Sequence, residues 1–260
     1  MLRPWSLNKV LARHHGFGGR SRIRSRSLPA FAPMIAGYGW SDPVPPGRTI
    51  AQRAEELHTL LVNASIPGPY ILVGHSYGGL IVRSFAHNHP DRTAGLVLVD
   101  TPDEATIFRP DVLDFYSRVR AVSKVMEFAA RFGLLRVLRT CFPAIREGCP
   151  FARAREYAAA ADDLASLKRV DLSMRGGGEP GSLHDLPLAV LTHGQPFPGP
   201  FSILESYWDE GQKGLCALST NSVLIPAPSS NHMIHLDQPD LVIDAIRRIH
   251  ASAQSCSAYS

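Results

Sequence analysis

The 260-residue chain is 45% hydrophobic and 19% charged, which excludes a disordered polyelectrolyte and leaves room for one large core with a sizeable insertion. Its formal charge of +4 is uneven: residues 1–41 hold seven Lys or Arg and no acid, so the remaining residues are slightly acidic, with 20 basic and 23 acidic side chains. That balance, with no basic cluster interleaved with aromatics, excludes a general nucleic-acid-binding surface, and no apolar run approaches the ~20 residues of a membrane span.

The opening MLRPWSLNKVLARHHG lacks the continuous apolar stretch of a secretory signal. Arg3, Arg13, Arg20, Arg22, Arg24 and Arg26, with several serines, have the composition of an organelle transit segment or of a poorly ordered terminus. The second reading is preferred, with a cytoplasmic protein as the expectation. From Thr49 the pattern becomes regular. TIAQRAEELHTLLVNA places Ile50, Ala54, Leu57, Leu60 and Leu61 on one helical face. YILVG follows as a short, unbroken apolar run, the pattern of a strand buried on both faces in a parallel sheet. YGGLIVRSFAHNHP reads as a helix ending near Pro90, and AGLVLVD as a second buried strand ending at Asp100.

Between Asp103 and Asp185 the alternation stops. DVLDFYSRVRAVSKVMEFAARFGLLRVLRTCF and FARAREYAAAADDLASLKRVDL are helix-rich, and RGGGEPGS returns the chain to the sheet. Helices inserted between two strands read as a lid over the carboxyl edge, where open α/β sheets bind ligands. LPLAVLTHG and SVLIPA then supply two more strands, and PDLVIDAIRRIHASA a closing amphipathic helix. The expected organisation is an atypical segment at 1–35, an α/β core at 36–102 and 184–252, a helical lid at 103–183, and a flexible tail at 253–260.

Gly74-His75-Ser76-Tyr77-Gly78 is G-x-S-x-G placed directly after a strand and directly before a helix. Such a turn strains the serine backbone, lifts Oγ clear of the sheet and puts free helix N–H groups nearby, as a nucleophile requires. A serine needs a base. Among 11 histidines, His232 lies in the loop APSSNHMIHLDQP after the last strand, with His235 its nearest rival. His75 is expected to pack or hydrogen-bond locally. His87 and His89 close a helix, where a cation meets the C-terminal dipole, rather than holding a metal. Cys141, Cys149, Cys216 and Cys256 form no C-x-x-C pair and read as reduced thiols, with a Cys141–Cys149 bridge the alternative.

GYGWSDP, GPYILVGHSYGGLIVRSFAHNHPDRTAGLVLVD and SSNHMIHLDQPDLV together resemble the α/β-hydrolase superfamily, specifically its bacterial esterase-like and epoxide-hydrolase-like members. The resemblance implies an α/β fold with a mostly parallel sheet flanked by helices. It implies Ser76 as nucleophile, His232 as base and the backbone N–H of Tyr77 as one oxyanion donor. His15-Gly16-Phe17-Gly18-Gly19 resembles the family's H-G-x-G-G loop, which would make Phe17 the second donor, although the segment before GYGWSD lacks the usual apolar strand. The position where many members carry the acid reads VLTHGQPFPGP, with Gln195 and no carboxylate. Asp100, where other members place it, is the first choice; Asp103, Glu205 and Asp209 remain alternatives, the last two in SILESYWDEG, which as a long loop could reach the site.

A serine at this turn implies acyl chemistry on an ester, lactone or thioester, in place of the alkyl-ester chemistry of family members with an aspartate there. The expected partner is a small apolar acyl substrate, with no cofactor and no metal. A catalytically compromised binding protein and an acyltransferase are the alternatives.

Overall fold

The computed structural model describes residues 5–6, 29–30, 46–133, 154–167 and 178–257. The chain divides into two units, residues 1–35 and 36–260. In the first, strand β1 (Trp5–Ser6) pairs antiparallel with β2 (Pro29–Ala30). The loop at 15–19 with Phe17, the GYGWSD turn, and Cys141 and Cys149 lie outside the described residues.

The second unit opens with helix α1 (Ile50–Asn63), started by a capping box in which Thr49 Oγ1 accepts from the Gln52 N–H and Gln52 Oε1 accepts from the Thr49 N–H. Its buried face differs in part from the one its apolar spacing predicts. Ile50, Ala54 and Leu61 are buried, but Leu60 is 39% exposed and Arg53 is buried in its stead. Ion pairs to Asp163 and Asp162 explain the change, because a guanidinium can leave water when carboxylates meet it.

Strand β3 (Tyr70–His75), helix α2 (Tyr77–Asn88) and strand β4 (Thr93–Val99) form the first βαβ unit. Strands β5 (Leu188–His193) and β6 (Ser222–Ala227) complete a four-stranded sheet of order β3-β4-β5-β6, parallel throughout. The two inner strands are almost wholly buried, which is why LVLV and LAVL show no polar alternation. Strand β6 is the outer neighbour of β5, and there Pro226 costs no interior ladder bond. Every strand and helix expected in this core forms within one or two residues of its predicted ends, except that the closing helix runs to Ser257, four residues past Ala253 and into the 253–260 segment expected as a tail.

Between β4 and β5 lie α3 (Glu104–Ile107), α4 (Pro110–Arg131) and α5 (Ala154–Leu167). Helices α4 and α5 pack on each other, and α5 docks on α1 through Asp163 and Arg53. SILESYWDEG is not the long loop expected of it. Glu205–Cys216 is helix α6, because Trp208, Gly211, Gln212 and Leu215 recur at three- and four-residue spacing and bury one face. Trp208, Leu204, Phe197 and Val112 form one buried cluster that joins α6 to α4. A short helix α7 (Ile234–Asp237) and the long α8 (Pro239–Ser257) close the chain, α8 packing on the sheet.

Candidate active site

The site is built where parallel strands end side by side. Strand β3 stops at His75, and Ser76 takes φ 53° and ψ −125° before α2 begins. A positive φ in a non-glycine residue costs about 1–3 kcal/mol and persists only where its surroundings enforce it. Here the Ser76 N–H donates to the Val99 carbonyl at 3.0 Å, tying the turn to the end of β4. Gly74 is required by space: a Cβ there would lie 2.6 Å from the Gly78 carbonyl oxygen and the Gly79 Cα. Gly79 is required too, since its Cβ would meet Thr101 Oγ1 at 2.0 Å. Gly78, by contrast, faces open space among the described residues. The motif's glycines thus have different reasons, one for the turn and another for the approach of α2 to β4. Tyr77 is the first helical residue, so its N–H has no intrahelical acceptor and lies at the positive end of the helix dipole.

Asp100 follows β4 directly, also with positive φ (48°), and is fully buried. Its carboxylate accepts four hydrogen bonds. His232 Nδ1 donates to Oδ2 at 2.7 Å, Trp208 Nε1 to Oδ1 at 3.0 Å, and the His193 backbone N–H to Oδ1 at 3.1 Å. The His193 ring is the fourth donor, with Nδ1 at 2.8 Å from both oxygens. Four donors fill the lone-pair sites of an ionised carboxylate. Burial by itself would raise the Asp100 carboxyl, but the hydrogen bonds and positive potential of His193 and His232 hold it below its ordinary value.

His232 sits in the loop after β6, with its side chain part-exposed. That loop is pinned from below. His75 Nε2 donates to the His232 carbonyl at 2.8 Å, Gly194 and Gln195 N–H groups donate to the Ser230 carbonyl, and Ser230 Oγ donates to Asp237 at 3.0 Å. The His75 ring lies 4.6 Å from that of His232 and 4.5 Å from that of His235. Burial first, then the neighbouring His232 and His235, push His75 down to about 3, so it is a neutral structural donor. Because His75 immediately precedes Ser76, this contact brings the base loop to the turn. His232, and not His235, hydrogen-bonds Asp100. Gln195 donates to the Pro228 carbonyl at 2.9 Å and so also braces the loop that carries His232.

The other candidate acids lie elsewhere. Asp103 caps α3, accepting from the Thr106 N–H at 3.1 Å. Asp209 is on the exposed face of α6. Glu205, the first residue of α6, accepts from the Phe197 N–H at 3.1 Å and approaches His193 Nε2 at 3.4 Å, reaching Asp100's neighbourhood only through that ring.

His193 and Trp208 were not singled out in the sequence, although one signal was there. His193 ends β5 beside β4, where Val99 pairs with Leu191, so the residues just beyond those positions meet at the same sheet edge. The side chain of Tyr77 reaches in another direction: its OH pairs with Ser166 Oγ of α5 at 2.7 Å, and burial followed by the charge of Asp163 pushes it up to about 12.

Among the described residues, Glu55, His58 and His89 bring possible metal-ligand atoms within 4.8 Å of one another. His89 there pairs with Glu55 at 2.8 Å, and its ring stacks on His58 at 4.0 Å with planes 20° apart. That geometry is a histidine–carboxylate hydrogen bond at a helix end with a stacked neighbour; nearly parallel rings do not converge their lone pairs on one point. Cys216 carries a free thiol that burial raises. No helix among the described residues is long and apolar enough to cross a membrane.

Comparison with known proteins bears on the fold. The family model described as "Alpha/beta hydrolase family" matches residues 10–245. The uncharacterized protein YqjL of Bacillus subtilis is 28% identical over 218 residues, covering 84% of this chain and 71% of that protein. Lipase LipV of Mycobacterium tuberculosis is 36% identical over 118 residues, 43% of this chain and 41% of that protein. A thermophilic esterase from Thermogutta terrifontis is similar in fold, with a TM-score of 0.52 at 23% identity, covering 84% of this chain and 78% of that chain.

Proposed function

The chain belongs to the alpha/beta hydrolase family, and from that premise we propose that it is a serine hydrolase cleaving an ester-type bond of a small apolar substrate through an acyl-enzyme on Ser76. The observation that carries the reading is the His232–Asp100 hydrogen bond of 2.7 Å, made by a loop that His75 ties to the serine turn. With Nδ1–H engaged by the carboxylate, the free Nε2 of His232 is the atom that takes the Ser76 Oγ proton as Oγ adds to the acyl carbonyl. The carbonyl oxygen becomes an oxyanion, which the N–H of Tyr77 at the α2 N-terminus receives in this reading. Collapse expels the alcohol or thiol, which leaves with the proton from His232. Water then repeats the sequence, releasing the acid and restoring Ser76. The aromatic walls beside His232, with Phe197 at 5.4 Å and Trp208 at 6.4 Å between ring centres, favour an apolar substrate.

A panel of p-nitrophenyl esters of increasing acyl length, with fluorophosphonate labelling, tests the reading. Wild type should turn over at least one ester and be labelled at Ser76, and Ser76→Ala should do neither. Folded wild type that hydrolyses no ester and takes no label would overturn it.

A further inference from the structure

Two imidazoles share the single carboxylate of Asp100, and a serine triad has a use for only one. His193 is the second. Its ring is nearly inaccessible, wedged against Phe197 at 4.5 Å and Trp208 at 5.6 Å between ring centres. Its Nδ1 faces both oxygens of Asp100, so Nδ1 must carry a proton, because an ionised carboxylate only accepts. The opposite nitrogen, Nε2, faces Glu205 Oε2 at 3.4 Å. Glu205 is held in that position by the Phe197 N–H, which donates to the same oxygen at 3.1 Å. A neutral ring would turn the Nε2 lone pair toward an anionic oxygen, which is repulsive. A ring protonated on both nitrogens has a carboxylate at each end.

We propose that His193 is an imidazolium held between Asp100 and Glu205, a positioning residue whose fixed charge opposes the second positive charge that forms on His232 during proton transfer. This rests on the assignment of His232 and Asp100 as base and acid. Among the described residues, the titratable groups beside it are Asp100 from the end of β4, Glu205 from α6 and, across the shared Asp100 carboxylate, His232 from the loop after β6; Phe197 and Trp208, which pack on its ring, are uncharged. Burial alone would lower the His193 imidazole, but the hydrogen bond and charge of Asp100, followed by Glu205, raise it above its ordinary value.

The device has a chemical consequence. Both Nδ1 atoms bond the same Asp100 Oδ2, so the two rings' donor atoms are at most about 5.5 Å apart. When His232 takes the serine proton, a second cation appears beside the first. With one cation already on Asp100, the charge that His232 gains in the transfer is opposed by that of His193. Glu205 keeps the pair from being a net repulsive site: two carboxylates balance two imidazoliums at the moment of transfer.

The test has two arms. In the first, histidine ring nitrogens of the ¹⁵N-labelled full chain are followed by NMR from pH 5 to 9, with His193→Asn used to assign the signals. His193 should be protonated on both nitrogens at pH 7, and Glu205→Gln should shift its deprotonation to lower pH. In the second, kcat/KM on the best p-nitrophenyl ester is measured against pH. His193→Asn keeps a donor toward Asp100 but carries no charge, and the acid limb should move to higher pH by roughly 1–2 units. A singly protonated His193 at pH 7, or an acid limb unmoved in His193→Asn, overturns the proposal. If wild type hydrolyses no ester and takes no fluorophosphonate, the hydrolase reading fails, while the NMR arm still decides the charge of His193. If His193→Asn does not fold, Glu205→Gln and the wild-type titration decide it alone.

Discussion

Asp100→Asn is the sharpest perturbation of the site, because the backbone tolerates it. Asn adopts positive φ as readily as Asp, so the 48° at this position is no obstacle. The side chain keeps its shape, but one acceptor oxygen becomes a donor NH₂. Of the four donors now satisfied, from His193 N, His193 Nδ1, Trp208 Nε1 and His232 Nδ1, about two lose their acceptor. Hydrogen bonds to a charged group contribute about 1.5–3 kcal/mol each, which puts the loss at roughly 3–6 kcal/mol. That is a large part of a typical domain's 5–15 kcal/mol. Activity should fall further than stability accounts for. An amide facing Nδ1 favours the His232 tautomer with its proton on Nε2, which cannot accept from Ser76, and the expected drop in kcat is about 10⁴-fold. The pH dependence follows in sign. Asp100 is depressed in the folded protein, so its stabilisation is present above the ordinary Asp value of about 3.9 and is lost as pH falls through the lower, folded value. The wild-type advantage in urea denaturation should therefore be full at pH 7 and shrink in strong acid. A kcat within tenfold of wild type in folded Asp100→Asn, or a loss under 1 kcal/mol at pH 7, would refute this account.

His75, held down to about 3, makes the fold acid-sensitive in the same direction but in a higher pH window: the unfolded chain takes up a proton near 6.5 that the folded chain refuses, so stability falls by about 2 kcal/mol between pH 7.5 and 5. His75→Gln, which keeps the donor to the His232 carbonyl, should flatten that part of the curve in urea titrations, and an unchanged slope would contradict it. Gly74→Ala forces a Cβ onto backbone and should cost 3 kcal/mol or so, whereas Gly78→Ala should be within about 1 kcal/mol of wild type; equal melting shifts would show that the turn is not packed as described. Arg53→Met leaves Asp162 and Asp163 side by side without their cation, a loss of about 3–5 kcal/mol, while Asp163→Asn leaves Arg53 with Asp162 and should cost less than half as much. The reverse order in denaturant midpoints would show that the pair does not anchor α5.

The sheet was legible because its physics is local. Buried parallel strands write unbroken apolar runs, and YILVGH, TAGLVLV, LAVLTH and SVLIPA appear where those runs do. The serine turn was legible for the same reason, since backbone sterics around one residue force glycine at Gly74. What was hidden is what depends on long-range contact. The buried position of Arg53 is decided by carboxylates more than a hundred residues away, so periodicity put Leu60 inside instead. SILESYWDEG carried a helical face that its polar residues and one glycine masked. His193 was passed over because the search at that strand end was for a carboxylate. The structure puts a donor there instead, because the acid already stands at the end of the neighbouring strand.

Tyr77 connects the helical insertion to the chemistry more directly than its position in the motif implies. Its backbone begins α2 beside Ser76, while its side chain leaves that turn and ends on Ser166 of α5. Ser166 Oγ in turn donates to the Asp163 carbonyl at 2.7 Å, and the Asp163 carboxylate is paired with Arg53 of α1, whose guanidinium lies 5.9 Å from the Tyr77 ring centre. The side chain is part-buried, and Ser166 is the partner that its hydroxyl finds. A displacement of α5 would break that bond and uncover the ring, and the residue disturbed would be the proposed oxyanion donor. Helix α5 is therefore coupled to the reacting geometry through one side chain, and changes in its packing against α1 should be felt in kcat before they are felt in KM.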